Sequence, residues 1–537
     1  MFHTFGYDEK NQSMRIASKV NSDFISHIAL IRSFSLGDNL TRVLQAKIPE
    51  YPLFPGEPIR YHFLFYMFIG VLEKLGLRID WALNVPSIIG FFSLLTMIFF
   101  LSKTIFKNIA ISILSVLFFL FNGSLAFIRF FTINPFSSHS LKDICNNSVF
   151  PAFAPWGPGE ITAFWNLNIY TNQRHLAGAF GLILLFILTA LFLENKPWKK
   201  QRPWSIVWGL TLSIFPYFHQ PSLLILAIIM LSYWFLFPPL RRYLTVAGLL
   251  GIFVVVPQII GVKHGPSLVN WYPGYLIHDS LNIKHFLSYW WQNLGLHSLI
   301  IPIGFLAASV KVKKIFFPFF PIFIISNLLT FAPETAANHK FFNFILIMGN
   351  MLTAYTLVLF LKGLLKLNNL LIRFLGFLSL FILSFFLVFS GIIDFFAIKN
   401  DDIGLWPDVN SHPLARWALY NTNPYDTILN ADYISPISLS GRKIFLGWPY
   451  FSWSAGYDTK LRIKIKRDIF EAESVQDQCI LLRKYGLSYT VLVSPPEQLD
   501  FIPNYSIFLL NGDPVFRTTY GGIEYSVYDT ESYCDGV

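Results

Sequence analysis

The sequence predicts a mainly α-helical polytopic membrane protein, in which a transmembrane helix bundle is followed by a C-terminal extramembrane α/β domain. Three observations predict it. Hydrophobic residues make up 54% of the 537-residue chain and charged residues 13%, with 57 phenylalanines, against a charged share of about 25% in ordinary soluble domains. Apolar runs recur that approach the roughly 20 residues a helix needs to cross a hydrocarbon core of about 30 Å. Positively charged residues fall at every second break between those runs.

Residues 1–60 are expected to form an outer-face segment carrying an amphipathic helix. Within it, residues 22–36 place apolar side chains at 24, 25, 28, 31 and 34 or 35, with Ser22 as N-cap, the spacing of a helix lying on a surface. Asp23 falls in its first turn, where the helix dipole favours the ionised carboxylate. There it is either a capping residue or a base able to take a proton from a hydroxyl. No hydrophobic span precedes Asp23, because residues 1–21 are polar, so the chain is expected to lack a first helix. The apolar stretch 61–77 carries Glu73 and Lys74 and fits a juxtamembrane or re-entrant helix; were it to cross, residues 1–60 would change face.

The bundle is expected over residues 61–396, with ten spans near 85–102, 109–130, 175–193, 204–219, 221–237, 243–262, 286–310, 315–332, 341–361 and 372–396, the short pair 204–219 and 221–237 being alternatively one excursion kinked at Pro216 and Pro221. The breaks holding Lys103 and Lys107, Lys196 to Arg202, Arg241 and Arg242, Lys311 to Lys314, and Lys362 to Arg373 share one parity, which makes them cytoplasmic. The opposite face receives residues 132–174, the turn at His219 and Gln220, 263–285, 333–340 and everything after 397. This predicts a multi-pass protein of the plasma (inner) membrane with its C-terminal domain outside the cytoplasm.

From 397 to 537 polarity becomes ordinary. Residues 444–446 and 489–493 read as buried strands, 462–473 and 475–485 as amphipathic helices, and 515–519 with 524–528 as a hairpin. Cys479 and Cys534 share this domain and are able to pair if it faces an oxidising compartment. Residues 401–537 hold 11 basic and 17 acidic groups, net −6, leaving 30 and 14, net +16, in the first 400. The overall charge of +10 therefore sits in short cytoplasmic loops and implies no nucleic-acid partner. No Walker-type glycine loop occurs, which argues against a nucleotide-driven pump.

Ionisable groups near membrane depth are costly and mark sites. Arg174 with His175, and His339 with Lys340, each immediately precede an apolar helix on the outer face. Singly, such pairs serve as interfacial anchors; together, with carboxylates on the same face, they favour a site that holds a phosphate head group while its lipid tail stays in the bilayer. Asp143 and Glu160 in the second outer loop are reserve carboxylates, able to hold a divalent ion if one is used. No carboxylate cluster of metal spacing is visible, so no cofactor is assigned. His27 and His62 complete the candidates.

The order of an outer acidic segment, then Pro52-x-x-Pro-Gly-Glu-Pro-Ile-Arg-Tyr-His-Phe-Leu-Phe65, then Asn84-Val-Pro-Ser87 opening a helix, resembles the first half of GT-C-fold membrane glycosyltransferases. These include protein O-mannosyltransferases and lipid A aminoarabinose transferases. The likeness covers roughly residues 20–130. Asn172-Gln-Arg-His-Leu-Ala-Gly178, Asn338-His-Lys-Phe-Phe-Asn-Phe344 and Ser440-Gly-Arg-Lys-Ile-Phe-Leu-Gly-Trp448 also look like features of a broader set of multi-spanning membrane proteins. The chain departs from the pattern in lacking the first helix and the family's proline within Tyr61-His62-Phe63-Leu64. The resemblance implies inverting transfer of a sugar from a polyprenyl-phosphate-linked donor to an acceptor at the extracytoplasmic face, with Asp23 as base. Arg174, His339 and Lys340 are assigned to the phosphate from sidedness alone. A lipid-linked substrate transporter or flippase, and a non-enzymatic membrane protein with an outer binding domain, are the alternatives.

Overall fold

The computed structural model describes residues 1–535 apart from 156, 158, 263–268, 497, 498 and 500; part of the expected outer break at 263–285 thus lies outside the described residues. The chain forms two compact units, one built on Pro86–Ile259 and Leu268–Asp402 and the other on Phe2–Val85 and Ile403–Val537.

The first unit is a helix bundle. Five helical segments among the described residues are long and apolar enough to cross a membrane: Ile79–Phe106, which begins in the other unit, Leu176–Leu193, Pro238–Ile260, Thr335–Leu365 and Leu370–Lys399. Leu176–Leu193 and Thr335–Leu365 are mostly buried and form the centre, while the other three turn apolar faces outward through residues such as Phe92, Phe253 and Phe381. An exposed apolar surface of that extent needs lipid to cover it.

The remaining five expected spans are short or broken. Residues 109–130 divide into Ile109–Leu120 and Ala126–Ile133, and the break at Gly123 packs so tightly on the last long helix that an added Cβ would lie 2.3 Å from the Leu387 carbonyl oxygen. Residues 286–310 divide into Ile283–Leu294 and His297–Ala307 at Gly295, whose φ of 52° favours glycine. The segments 204–219 and 315–332 are likewise interrupted, and Gln220–Leu236 is a continuous 17-residue helix. Polar side chains tie the pieces together inside: His297 Nδ1 lies 3.0 Å from Thr353 Oγ1 and its Nε2 lies 3.1 Å from the Leu387 carbonyl oxygen.

The second unit joins both ends of the sequence. Strands Phe5–Asp8 and Ser13–Ala17 form an antiparallel sheet with Ile403–Pro407, Met14 facing Trp406. A second, mixed sheet runs Phe516–Tyr520, Ile523–Asp529, Tyr489–Ser494, Thr427–Asn430, Lys443–Ile444. Its hairpin turns at Gly521 and Gly522, both at positive φ, as a two-residue primed turn requires. Helices Thr459–Phe470 and Val475–Lys484 stand near their expected positions, and Cys479 is disulfide-bonded to Cys534. A bilayer cannot pass between hydrogen-bonded strands, so Phe5–Asp8 and Ser13–Ala17 lie on the same face as Ile403–Pro407. Consistently, Leu64–Lys74, within the doubtful stretch 61–77, has 11 residues, about 16 Å of helix at roughly 1.5 Å per residue, half a bilayer core.

The expected surface helix is corrected here. Asn21–Ser35 is buried almost all round, with Val20 and not Ser22 at its N-cap. The polar positions that suggested a solvent face are paired inside: Ser26 Oγ lies 2.9 Å from Tyr51 Oη, Arg32 Nη2 donates to Asp408 Oδ1 at 2.6 Å, and Ser35 donates to Glu73.

Candidate active site

Three apolar helices of the first unit begin at one place. Leu176–Leu193 starts after His175, Gln220–Leu236 starts after His219, and His339–Leu365 starts with His339 itself. The His175 and His219 rings are 5.4 Å apart, Gln173 Nε2 lies 3.5 Å from His339 Nε2, and His219 is within electrostatic reach of Lys340 and His339. The termini therefore meet.

Local structure explains each placement. Thr162 caps the turn Ala163–Trp165 by accepting from the Phe164 amide, which sets Phe164 flat on the His339 ring at 4.2 Å. Trp165 donates to Asn293 Oδ1 at 2.8 Å, and Asn293, fully buried, also accepts from the Thr162 amide and donates to the Glu160 and Tyr289 carbonyls. The loop before Arg174 is thereby fixed to helix Ile283–Leu294. Arg174, 1% exposed, donates from Nε to the Thr171 carbonyl, and its Nη groups lie against Met1. Asn338 donates to the Ser326 and Leu329 carbonyls and anchors the start of the helix that carries His339 and Lys340. His339 Nδ1 pairs with Asn343 at 3.0 Å, and His219 Nδ1 with Ser222 Oγ at 2.6 Å.

Arg174, His175, His339 and Lys340, chosen from the sequence, thus come together. His219, read there as a turn residue, does occupy a turn and also joins the cluster; its sequence mark is Phe-His-Gln-Pro at the head of an apolar run. All five side chains are buried. The positive ends of three helix dipoles and basic side chains gather at one point, an arrangement that attracts an anion.

The reserve carboxylates are placed elsewhere. Asp143 lies half-buried in the short helix Ser140–Cys145, against Leu370–Lys399, and exposed Glu160 accepts from Gln292. Neither belongs to a group of three or more metal-ligating side chains among the described residues. A carboxylate the sequence reading passed over is Asp394, which sits in the last long helix and accepts from Asn166 Nδ2 at 3.1 Å.

In the second unit Asp23 occupies the first helical turn, half-buried, with His27 one turn further on. His27 stacks on Tyr66 at 4.6 Å, and the Tyr61 and His62 rings, 3.8 Å apart, lie beside it, Tyr61 6.3 Å from His27. Both histidines are buried.

No protein-family model and no curated protein matches the chain. Among solved structures, the apo form of the Archaeoglobus fulgidus oligosaccharyltransferase aligns with 87% of this chain and 65% of its own at a TM-score of 0.50 and 10% identity. The fold is the GT-C fold. The GT-C oligosaccharyltransferase AglB from the same archaeon, complexed with an inhibitory peptide and a dolichol-phosphate, aligns over 86% of this chain and 65% of its own (TM-score 0.49, 11% identity). ArnT from Cupriavidus metallidurans, bound to undecaprenyl phosphate, aligns over 97% and 98% (TM-score 0.47, 9% identity). The chain spans about 65% of the length of the archaeal chains it matches.

Proposed function

We propose that this GT-C protein transfers a sugar from a polyprenyl-phosphate-linked donor to an acceptor at the extracytoplasmic face, by a single inverting displacement. The observation that carries the proposal is the meeting of three helix starts with Arg174, His175, His219, His339 and Lys340. A lipid phosphate needs a cationic head-group site opening onto apolar helices, and the cluster supplies that combination. Arg174, His339 and Lys340 hold the phosphate.

In an inverting displacement the acceptor oxygen attacks the anomeric carbon as the bond from that carbon to the phosphate oxygen breaks. A proton leaves the acceptor, and negative charge gathers on the departing lipid phosphate. Asp23 takes the proton, and the cationic cluster stabilises the leaving group. The Cys479–Cys534 bond supports an oxidising compartment for the unit that carries Asp23.

The test uses the full chain in nanodiscs. Losing one charge-assisted contact, about 1.5–3 kcal/mol, weakens binding of a polyprenyl phosphate at least tenfold in Arg174→Gln and in Lys340→Gln. Asp23→Asn keeps lipid binding and loses incorporation of labelled sugar from a polyprenyl-phosphate donor. Wild-type lipid affinity in both basic-residue variants would remove the phosphate site, and undiminished transfer by Asp23→Asn would remove the base. Uptake of the labelled lipid into vesicles without sugar incorporation would favour a transporter.

A further inference from the structure

Helix Pro413–Asn421 of the second unit lies beside an open groove of about 440 Å³, lined by Asn410, Arg416, Trp417, Tyr420, Asn421 and Phe516 among others. That volume is within the roughly 300–1,000 Å³ usual for small-molecule sites. Spacing explains the lining: Arg416 and Tyr420, and Trp417 and Asn421, are each four residues apart and so share one side of the helix. Trp417 is held in place, stacked on Phe516 with centroids 5.3 Å apart and met edge-on by Tyr489 at 5.6 Å. Tyr420 is 70% exposed.

We infer that this groove binds a saccharide. Aromatic side chains at its wall are joined by hydrogen-bonding groups that the protein leaves unused. Among the described residues, the Arg416 guanidinium and the Tyr420 hydroxyl make no hydrogen bond or ion pair. Asn421 donates from Nδ2 to the Trp417 carbonyl at 3.0 Å, and its Oδ1 accepts no bond from the described residues. A sugar ring has the matching anatomy, with C–H groups on one face to lie on an aromatic ring and hydroxyls around the edge for guanidinium, amide and phenol. A wholly apolar ligand would strip water from the arginine and the amides without replacing their bonds. One cation and no carboxylate line the groove, so it accepts a neutral or an acidic saccharide. The inference goes beyond the transferase proposal and does not rest on it.

The experiment measures binding of maltotriose, mannotriose, galactotriose and chitotriose to the full chain in nanodiscs, without donor lipid, by tryptophan fluorescence and saturation-transfer NMR. At least one trisaccharide binds, with saturation strongest on ring C–H protons. Tyr420→Ala and Arg416→Ala each lower its affinity at least fivefold without moving the thermal midpoint. Tyr425→Ala, at an exposed aromatic outside the groove, and Asp23→Asn bind as the wild type does. The inference is overturned if none of the four binds, or if binding survives unchanged in both groove variants. Because Asp23→Asn separates transfer from binding, failure of the groove and failure of the transferase proposal give different results.

Discussion

Replacing Asp408 by Asn should unsettle the unit that joins residues 2–85 to the chain after Ile403. Asp408 follows the strand that pairs with Ser13–Ala17, and its side chain is 8% exposed. Oδ1 accepts from Arg32 Nη2 at 2.6 Å and from the Val409 amide at 2.7 Å, and Oδ2 from the Tyr7 hydroxyl at 3.2 Å. Breaking a buried ion pair by removing one partner costs about 3–5 kcal/mol. Arg32 keeps a second counter-ion in Glu73 at 3.4 Å, and the amide retains one acceptor oxygen, so the lower end applies, about 3 kcal/mol. At about 2–4 °C per kcal/mol for a unit of 150–250 residues, the midpoint falls by about 6–12 °C. Differential scanning fluorimetry of the detergent-solubilised full chain reads it, with Arg32→Met and the double variant alongside. The double variant costs less than the two single changes added, because it removes both charges of one pair; Glu73, which burial already pushes above its ordinary value, then takes up a proton. A midpoint within 2 °C of wild type for Asp408→Asn, or strict additivity, would refute the claim that this pair binds the two ends of the sequence together.

Three further outcomes follow. Cys534→Ser removes a cross-link between residues 55 apart, a loss of about 4 kcal/mol by chain entropy; its melting becomes insensitive to dithiothreitol, whereas the denatured wild type titrates a single free thiol, Cys145. Burial holds the His412 imidazole, packed on Tyr520 at 4.4 Å, down to about 4. The unfolded chain then binds the proton first, so stability present above pH 6.5 falls by up to about 3 kcal/mol as pH drops towards 4; His412→Phe flattens that part of a melting-versus-pH series. Asn293→Leu leaves the Trp165 indole N–H and the Thr162 amide without their acceptor, at about 1–3 kcal/mol each, and should expose the 132–174 loop to limited proteolysis before the bundle melts.

The bundle was legible because lipid leaves a composition that no soluble domain shares, and because the basic breaks are local. The hairpin at Gly521 and Gly522 was legible for the same reason, being written in a few neighbouring residues. What stayed hidden depends on distant partners. The strand pairing of Ser13–Ala17 with Ile403–Pro407 spans most of the chain and leaves no periodic trace. Spans 109–130 and 286–310 looked continuous because the residues that break them, Gly123 and Gly295, are compatible with an apolar run; the break follows from a close helix contact at one and a positive φ at the other.

The site divides along the same line. Arg174, His175, His339 and Lys340 stood out because charged or imidazole side chains at the head of an apolar helix conflict with lipid, a conflict visible within seven residues. That three helices start at one point is a matter of packing, and only the structure brings Gln220–Leu236 to the other two and makes His219 a member. The helix bearing Asp23 shows the opposite error. Its serines and Arg32 recur with helical period and mimic a wet face, yet Arg32 meets its carboxylate 376 residues away. A helix clamped on every side cannot slide or tilt cheaply, since each small shift would strand a buried polar group. For Asp23 in its proposed role of base, which must meet an acceptor hydroxyl within hydrogen-bond reach, that rigidity favours transfer, and loosening it through Arg32 or Asp408 should slow transfer even with Asp23 intact.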